Sequence, residues 1–513
     1  MRKFGALLLA LAMAGLTACG GGKAPQGGDG GQQGQSPEQK VVIAVSGEPT
    51  TLDPHKSFSG NVFGVTNQIY ESLLARNPDG SLAPRLATEY RALDPTTWEF
   101  KLREGVKFHD GTPFDAQAVK FSLDRLRDPA TRAPGAYVVS MIKEVQVVDD
   151  HTVRIVTDKP FAPLPAHLAH PVAAIVSPAA AQQDLGKEPV GTGPFKFKEW
   201  KPGESVTLVA NPDYWGGKPK IETVVMRVIP EAGTQIVELK AGTVDLITSI
   251  PPERFAELES DPNLTATRFL GWGTVYLGFN MKEGPLSNPK VRQAIAHALD
   301  RKAMVETLRQ GMAQEATAMV PPRVAGAPPG IQPVPYDPDR ARQLLQEAGV
   351  TLPLKVKLHT YDNTETRQIA GAIQAQLKEI GIDVEVSVTD FGTFDQDTRQ
   401  PDHGLFLSQW GTVTMDADYA YWAWLHSSQQ EADNRAFYRN PQVDQWLEEA
   451  RATTDLEART RLYTQIEQQL QQDLPYLPLY YPLTAYAKNR RLQGEVYPFA
   501  FINLDLRQAE IVK

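Results

Sequence analysis

His167 and His170 stand at i, i+3, a spacing that puts two imidazoles on one helical face and is formally a pair of metal ligands. Prolines flank them and no carboxylate lies close by, so no metal site is expected there. Gly191-Thr192-Gly193 is too short for a phosphate-binding fingerprint, has no matching lysine, and reads as a tight turn. His109-Asp110, just before Gly111, reads as turn stabilisation. The chain contains no G-x-S-x-G and no H-E-x-x-H. A hydrolase needs an activated nucleophile or a metal-bound water, and neither set of parts is legible. The expectation is a protein that is not an enzyme, with no catalytic residue, no cofactor and no metal.

The single cysteine, Cys19, closes the run Leu16-Thr17-Ala18-Cys19 behind Arg2, Lys3 and an apolar stretch from Phe4 to Leu16. A charged start, a short apolar stretch and a small-residue cleavage site make a secretory signal over 1–18. The stretch is shorter than the roughly 20 residues needed to span a bilayer. Residues 20–38 hold eight glycines, no aromatic residue and no aliphatic larger than alanine. Such a segment buries too little apolar surface to offset its ordering entropy, so 19–39 is expected to be a flexible leash spanning roughly 25 Å.

The remaining body, from about Lys40, is too long for one core, and two or three domains are expected. Loss of residues 1–18 removes Arg2, Lys3 and no acid, taking the net charge from −9 to −11. That acidity argues against nucleic acid and against a polybasic membrane patch. With no cysteine in the body, neither a disulfide framework nor a thiolate metal site is available.

β-branched runs predict strands at Val41–Val45, Thr152–Val156, Ser205–Val209, Ile221–Ile229 and Asp383–Val388. Apolar residues at helical spacing predict helices through Val291–Leu299, through Ile369–Ile380 stopped by Gly381, and through Leu462–Leu470 ended before Pro475. Asp115 caps a further helix carrying Val119, Leu123 and Leu126, with Phe114 placed to staple against Val119. The fold class is α/β with mixed sheets.

The stretch WEFKLREGVKFHDGTP (Trp98–Pro113) resembles a signature of the family 5 extracytoplasmic solute-binding proteins, the peptide, nickel and oligosaccharide receptors of ABC importers. Further ordered matches are LDPHKSFSGNVFGVTNQIYESL (Leu52–Leu73), VGTGPFKFKEWKPGESVTLVANPDYW (Val190–Trp215), NPKVRQAIAHALDRKAMVE (Asn288–Glu306) and YDPDRARQLLQEAGV (Tyr336–Val350). The resemblance implies a periplasmic-binding-protein-like type II (cluster C) hinged clamp with an extra domain. Domain I would take 40–80, 190–270 and 486–513, domain II 81–189 and domain III 271–485. The hinge would lie near Phe269–Trp272 and Tyr486–Arg490. Cys19 resembles the cysteine of a bacterial lipobox, which implies diacylation and a lipid tether to the membrane. The implied protein is a monomeric receptor that hands a small peptide or glutathione-like ligand to a membrane permease driven by a separate ATPase.

In this family the loop matching QWGTVTMDADYAYWAWLHS (Gln409–Ser427) lines the pocket. Peptide receptors commonly carry an aspartate three residues after its tryptophan, since an α-ammonium taken out of water needs a compensating carboxylate. Here that position is Val413, so the usual amine clamp is missing, and Trp410 through Asp418 look more like the glutathione-type branch. Thr412 and Thr414 offer hydroxyls to a carboxylate or an amide. Asp416 and Asp418 offer a carboxylate to an ammonium or a cap to the next helix. Backbone groups of Gly411 to Thr414 suit a peptide main chain. Trp272, Thr274, Tyr276 and Asn280 match the other cleft-facing segment, where aromatic rings suit a wet wall or else pack along a strand. Phe58 and Ser59 are the candidates from domain I. Arg435 meets a ligand carboxylate or lies on the surface. Within the same family the alternative ligand is nickel or a nickel chelate, with His55 and His426 as the histidines nearest these segments. A secreted hydrolase is the outlying reading.

Overall fold

The computed structural model describes residues 38–494 and 505–512; Cys19 and the leash up to residue 37 lie outside them. A twelve-stranded mixed sheet dominates the described residues. Its central run passes through Ile382–Thr389, Leu354–Tyr361, Leu405–Gly411, Gly273–Phe279, Tyr476–Asn489, Leu246–Ile247 and Lys40–Val45, then Thr223–Val228, Ser205–Ala210 and Phe195–Lys201. The first two strands pair in parallel, as do Lys40–Val45 and Thr223–Val228.

The strand Tyr476–Asn489, fourteen residues long, joins the two ends of this sheet. Its first half pairs with Val275–Gly278 and its second half with Leu264–Leu270, so its partner changes between Tyr480 and Leu483. Tyr486 to Asn489 stay hydrogen-bonded as strand. On the other side the chain passes from Leu264–Leu270 to Gly273–Phe279 through Gly271 and Trp272.

A separate antiparallel sheet, in the order Ala87–Asp94, Thr97–Leu102, Thr152–Thr157 and Ile142–Asp149, carries the helix Ala116–Arg127. Asp115 caps that helix through the Ala118 amide at 2.9 Å, and Phe114 and Val119 share its core. The predicted strands and helices form with ends shifted by a few residues: Thr223–Val228, Ile382–Thr389, Pro289–Ala298, Thr364–Lys378 and Leu456–Asp473.

Gly191-Thr192-Gly193 is the expected turn, and its glycines answer to sterics. A Cβ on Gly191 would fall 2.1 Å from the Ile69 carbonyl oxygen, and one on Gly193 2.6 Å from that of Gln68. The turn thus lies directly against the end of the helix Gly60–Ile69. The His109 ring bonds the Gly193 carbonyl at 2.9 Å, while Asp110 accepts from Thr112 and Ser177.

Candidate functional site

Antiparallel pairing of Gly273–Phe279 with Leu405–Gly411 sets Gly273 opposite Gly411 and Thr274 opposite Trp410. The two candidate segments therefore lie side by side, and the Thr412 amide donates to the Trp272 carbonyl at 3.1 Å. Gly273–Phe279 is buried at every residue because both faces of the sheet are covered. That places Thr274 and Tyr276 in the interior, and Asn280, just past the strand, is buried too. Tyr276 packs on Phe406, Trp424 and Tyr476, the Thr274 hydroxyl donates to Met319 O at 2.8 Å, and Asn280 Nδ2 donates to Pro401 O at 2.5 Å.

Beyond Gly411 the chain turns sharply. The Met415 amide donates to Thr412 O at 2.7 Å, with Met415 in the left-handed region (φ 52°). Asp416 then caps the helix Ala417–Leu425, accepting from the Asp418 amide at 3.1 Å. Asp416 also meets Arg459 Nη1 at 3.0 Å, and burial, which would raise its carboxyl, is outweighed by that guanidinium, which holds it below the usual range. Asp418 receives Arg451 Nε at 2.8 Å and Nη2 at 3.0 Å. Both carboxylates are buried and matched to arginines, so neither is presented to a ligand ammonium. Arg435 is likewise engaged, donating to Asp395 at 2.6 Å and to Thr398 Oγ1 at 2.9 Å.

A row of rings runs between the two sides. Trp410 lies 5.7 Å from Tyr419, centroid to centroid, and the Tyr419 hydroxyl is 3.2 Å from that of Tyr137. Tyr137 lies 5.4 Å from Phe58, which stacks on His170 at 5.0 Å and 2°. Residues 58, 137 and 170 come from one side of the crossings and 410 and 419 from the other. Phe58 and Trp410 were legible in the sequence; Tyr419 stood inside the quoted loop, and nothing local singled out Tyr137. Ser59 ends the approach to the helix Gly60–Ile69, its carbonyl accepting from Val62 and Phe63.

Beside His170 lies a cavity of about 100 Å³, partly open to solvent. Val413, Thr414 and Met415 form one wall, and Glu71, Arg76 and Arg85 form part of the opposite one. Arg76 donates to the Thr414 carbonyl and, at 2.8 Å, to Gly80 O, so the two sides touch. Further contacts between them are Arg323 with the Pro78 carbonyl and the Ala162 amide with Arg451 O at 2.7 Å. Burial pulls the Arg76 guanidinium down to about 10, still charged at neutral pH.

Four of the histidines are engaged within the protein. His55 Nδ1 accepts from Arg125 at 2.8 Å, since a guanidinium can only donate, so Nε2 carries the proton given to Ala174 O at 2.9 Å. Burial and Arg125 together pull His55 down to about 4. His167 Nδ1 bonds Val138 O, and His170 Nδ1 accepts from the Val172 amide. His426 stacks on Trp422 and bonds Ser428. Among the described residues no three His, Cys, Asp or Glu side chains are grouped to hold a metal, and no helix is long and apolar enough to cross a membrane.

Residues 81–432 match the family described as bacterial extracellular solute-binding proteins, family 5 Middle. A glutathione-binding protein, GsiB of Escherichia coli O1:K1 / APEC, is 34% identical over 487 residues, covering 91% of this chain and 95% of that one. Among solved structures, HbpA2 from Haemophilus parasuis superposes with a TM-score of 0.86 at 27% identity, over 92% of this chain and 99% of that one. The periplasmic binding protein DppA from Helicobacter pylori, in complex with the peptide STSA, gives 0.76 at 29% identity, over 92% and 98%. An α/β body with mixed sheets agrees with those matches, and the chain belongs to the family 5 extracellular solute-binding proteins, the non-enzymatic, extracytoplasmic receptors of ABC importers.

Proposed function

We propose that this receptor captures a short peptide-like solute, of oligopeptide or glutathione type, in the cleft between its two sides and delivers it to an ABC permease. The observation that carries this reading is the aromatic row Phe58–Tyr137–Tyr419–Trp410. It offers large apolar area with polar tips, which suits a ligand that stays partly wet. The Trp410 indole N–H is buried without a hydrogen-bond partner among the described residues, a donor left for a ligand carbonyl or a water. Val413 supplies no carboxylate, and the relative that binds glutathione fits that departure.

Domain I (40–80, 190–270, 486–513), domain II (81–189) and domain III (271–485) form the clamp in this reading. Closure is driven by the ligand's differential affinity for the closed arrangement. Cys19 carries the lipid that tethers a monomeric receptor to the membrane; Cys19→Ala abolishes incorporation of labelled palmitate, and a retained label would disprove the tether.

Native mass spectrometry of the purified chain tests the ligand class, as isolated and after challenge with glutathione, di- to penta-peptides and nickel. A peptide or glutathione adduct is the expected result. Nickel uptake with indifference to every peptide would replace this reading with a metal-chelate receptor.

A further inference from the structure

The cavity beside the aromatic row has a composition that selects a ligand group. Its walls hold three guanidinium groups, Arg76, Arg85 and Arg507, against two carboxylates, Glu71 and Asp505. Both acids are already saturated. Glu71 accepts from Tyr214 OH at 2.8 Å, Trp215 Nε1 at 2.7 Å and Thr192 Oγ1 at 2.9 Å, and Asp505 is gripped by Arg507, with Nε at 2.7 Å. Arg76 has its hydrogen bonds to carbonyls, which leave its charge formally intact. Arg85 forms an ion pair with Glu71 at 3.4 Å and a contact with Tyr214 OH at 3.5 Å, both at the long end of the hydrogen-bond range, so a ligand carboxylate would compete with Glu71 for it.

Two further donors line the same space. Thr414 is 1% exposed and its Oγ1 has no hydrogen-bond partner among the described residues; the buried Asn67 Nδ2 is in the same position. Buried donors without acceptors cost free energy until something accepts from them. Excess positive charge, spare N–H and O–H groups and the apolar Val413 together fit an anionic acceptor and disfavour an ammonium.

We propose that this cavity is the subsite for a carboxylate of the ligand, with Arg85 as its charge partner and Thr414 Oγ1 and Asn67 Nδ2 as hydrogen-bond donors. The proposal rests on the peptide-like reading above and adds to it a polarity. The acid end of the solute, and not its amine, meets the Val413–Met415 loop.

Calorimetric titration of the purified chain with glutathione, its two monoamides, trialanine and trialanine amide tests this. Amidating one carboxylate is expected to weaken binding about 30-fold or more, in line with loss of a charge-assisted pair of about 2 kcal/mol. In Arg85→Gln that penalty is expected to fall below about 3-fold, and in Thr414→Val, a near-isosteric change, the acid is weakened about 5-fold and its amide is unaffected. A thermal melt of each variant verifies folding. Acids and amides binding equally well, or an amide penalty unchanged in both variants, would overturn the subsite while leaving the receptor reading intact. Failure of every peptide and of glutathione to bind the unaltered chain would overturn both.

Discussion

Glu467 is fully buried, and its Oε1 accepts from Tyr421 OH and the Met319 amide, each at 2.6 Å, with no ion-pair partner among the described residues. Burial pushes its carboxyl up to about 7. A group whose folded value is raised binds its proton more tightly when folded. Its contribution is complete below about pH 4.5 and lost as pH rises through about 7, on the order of 3 kcal/mol. Glu467→Gln is therefore expected to flatten the loss of stability between pH 5 and pH 8, as read by urea unfolding at both; an unchanged slope would refute the assignment. Asp416 and Asp418 differ from Glu467 because Arg459 and Arg451, more than thirty residues away in sequence, reach them. Their side-chain types were legible as acids near a helix start. That Asp416 would cap the helix and that both would be paired was not, because the arginines arrive from other helices.

Elements were the most legible level, because capping and periodicity are local. Asp115, Asn288, Asp337 and Asp455 each accept from a backbone amide at the first turn of a helix, the pattern that side-chain type and spacing announce. The turn at Gly191 was legible as a turn but not as a contact. Its reason is the Ile69 carbonyl, which belongs to a helix more than a hundred residues earlier. Gly191→Ala is expected to destabilise the fold by about 2–4 kcal/mol in chemical denaturation, since the clash is with backbone and has no side chain to swing aside. A loss below about 0.5 kcal/mol would mean that the helix end moves freely.

At the scale of the molecule, the strand Tyr476–Asn489 belongs to both ends of one sheet, so unfolding either end frays the other. Heat unfolding is expected as a single transition that moves as a unit on adding ligand, by about 2.7 kcal/mol at one hundred times Kd. Two transitions, with one unmoved by ligand, would contradict that coupling. The sequence by itself determined the α/β class and pointed to the family, because these rest on local periodicity and contiguous motifs. Only the tertiary structure decided that Tyr276, Thr274 and Asn280 are interior, that Asp416 and Asp418 are paired with arginines, and that Arg76, Arg85 and Arg507 line one cavity with Val413. The physical reason is that burial and charge pairing depend on which distant segments pack together, and a cleft between two sides of a molecule has no contiguous sequence of its own.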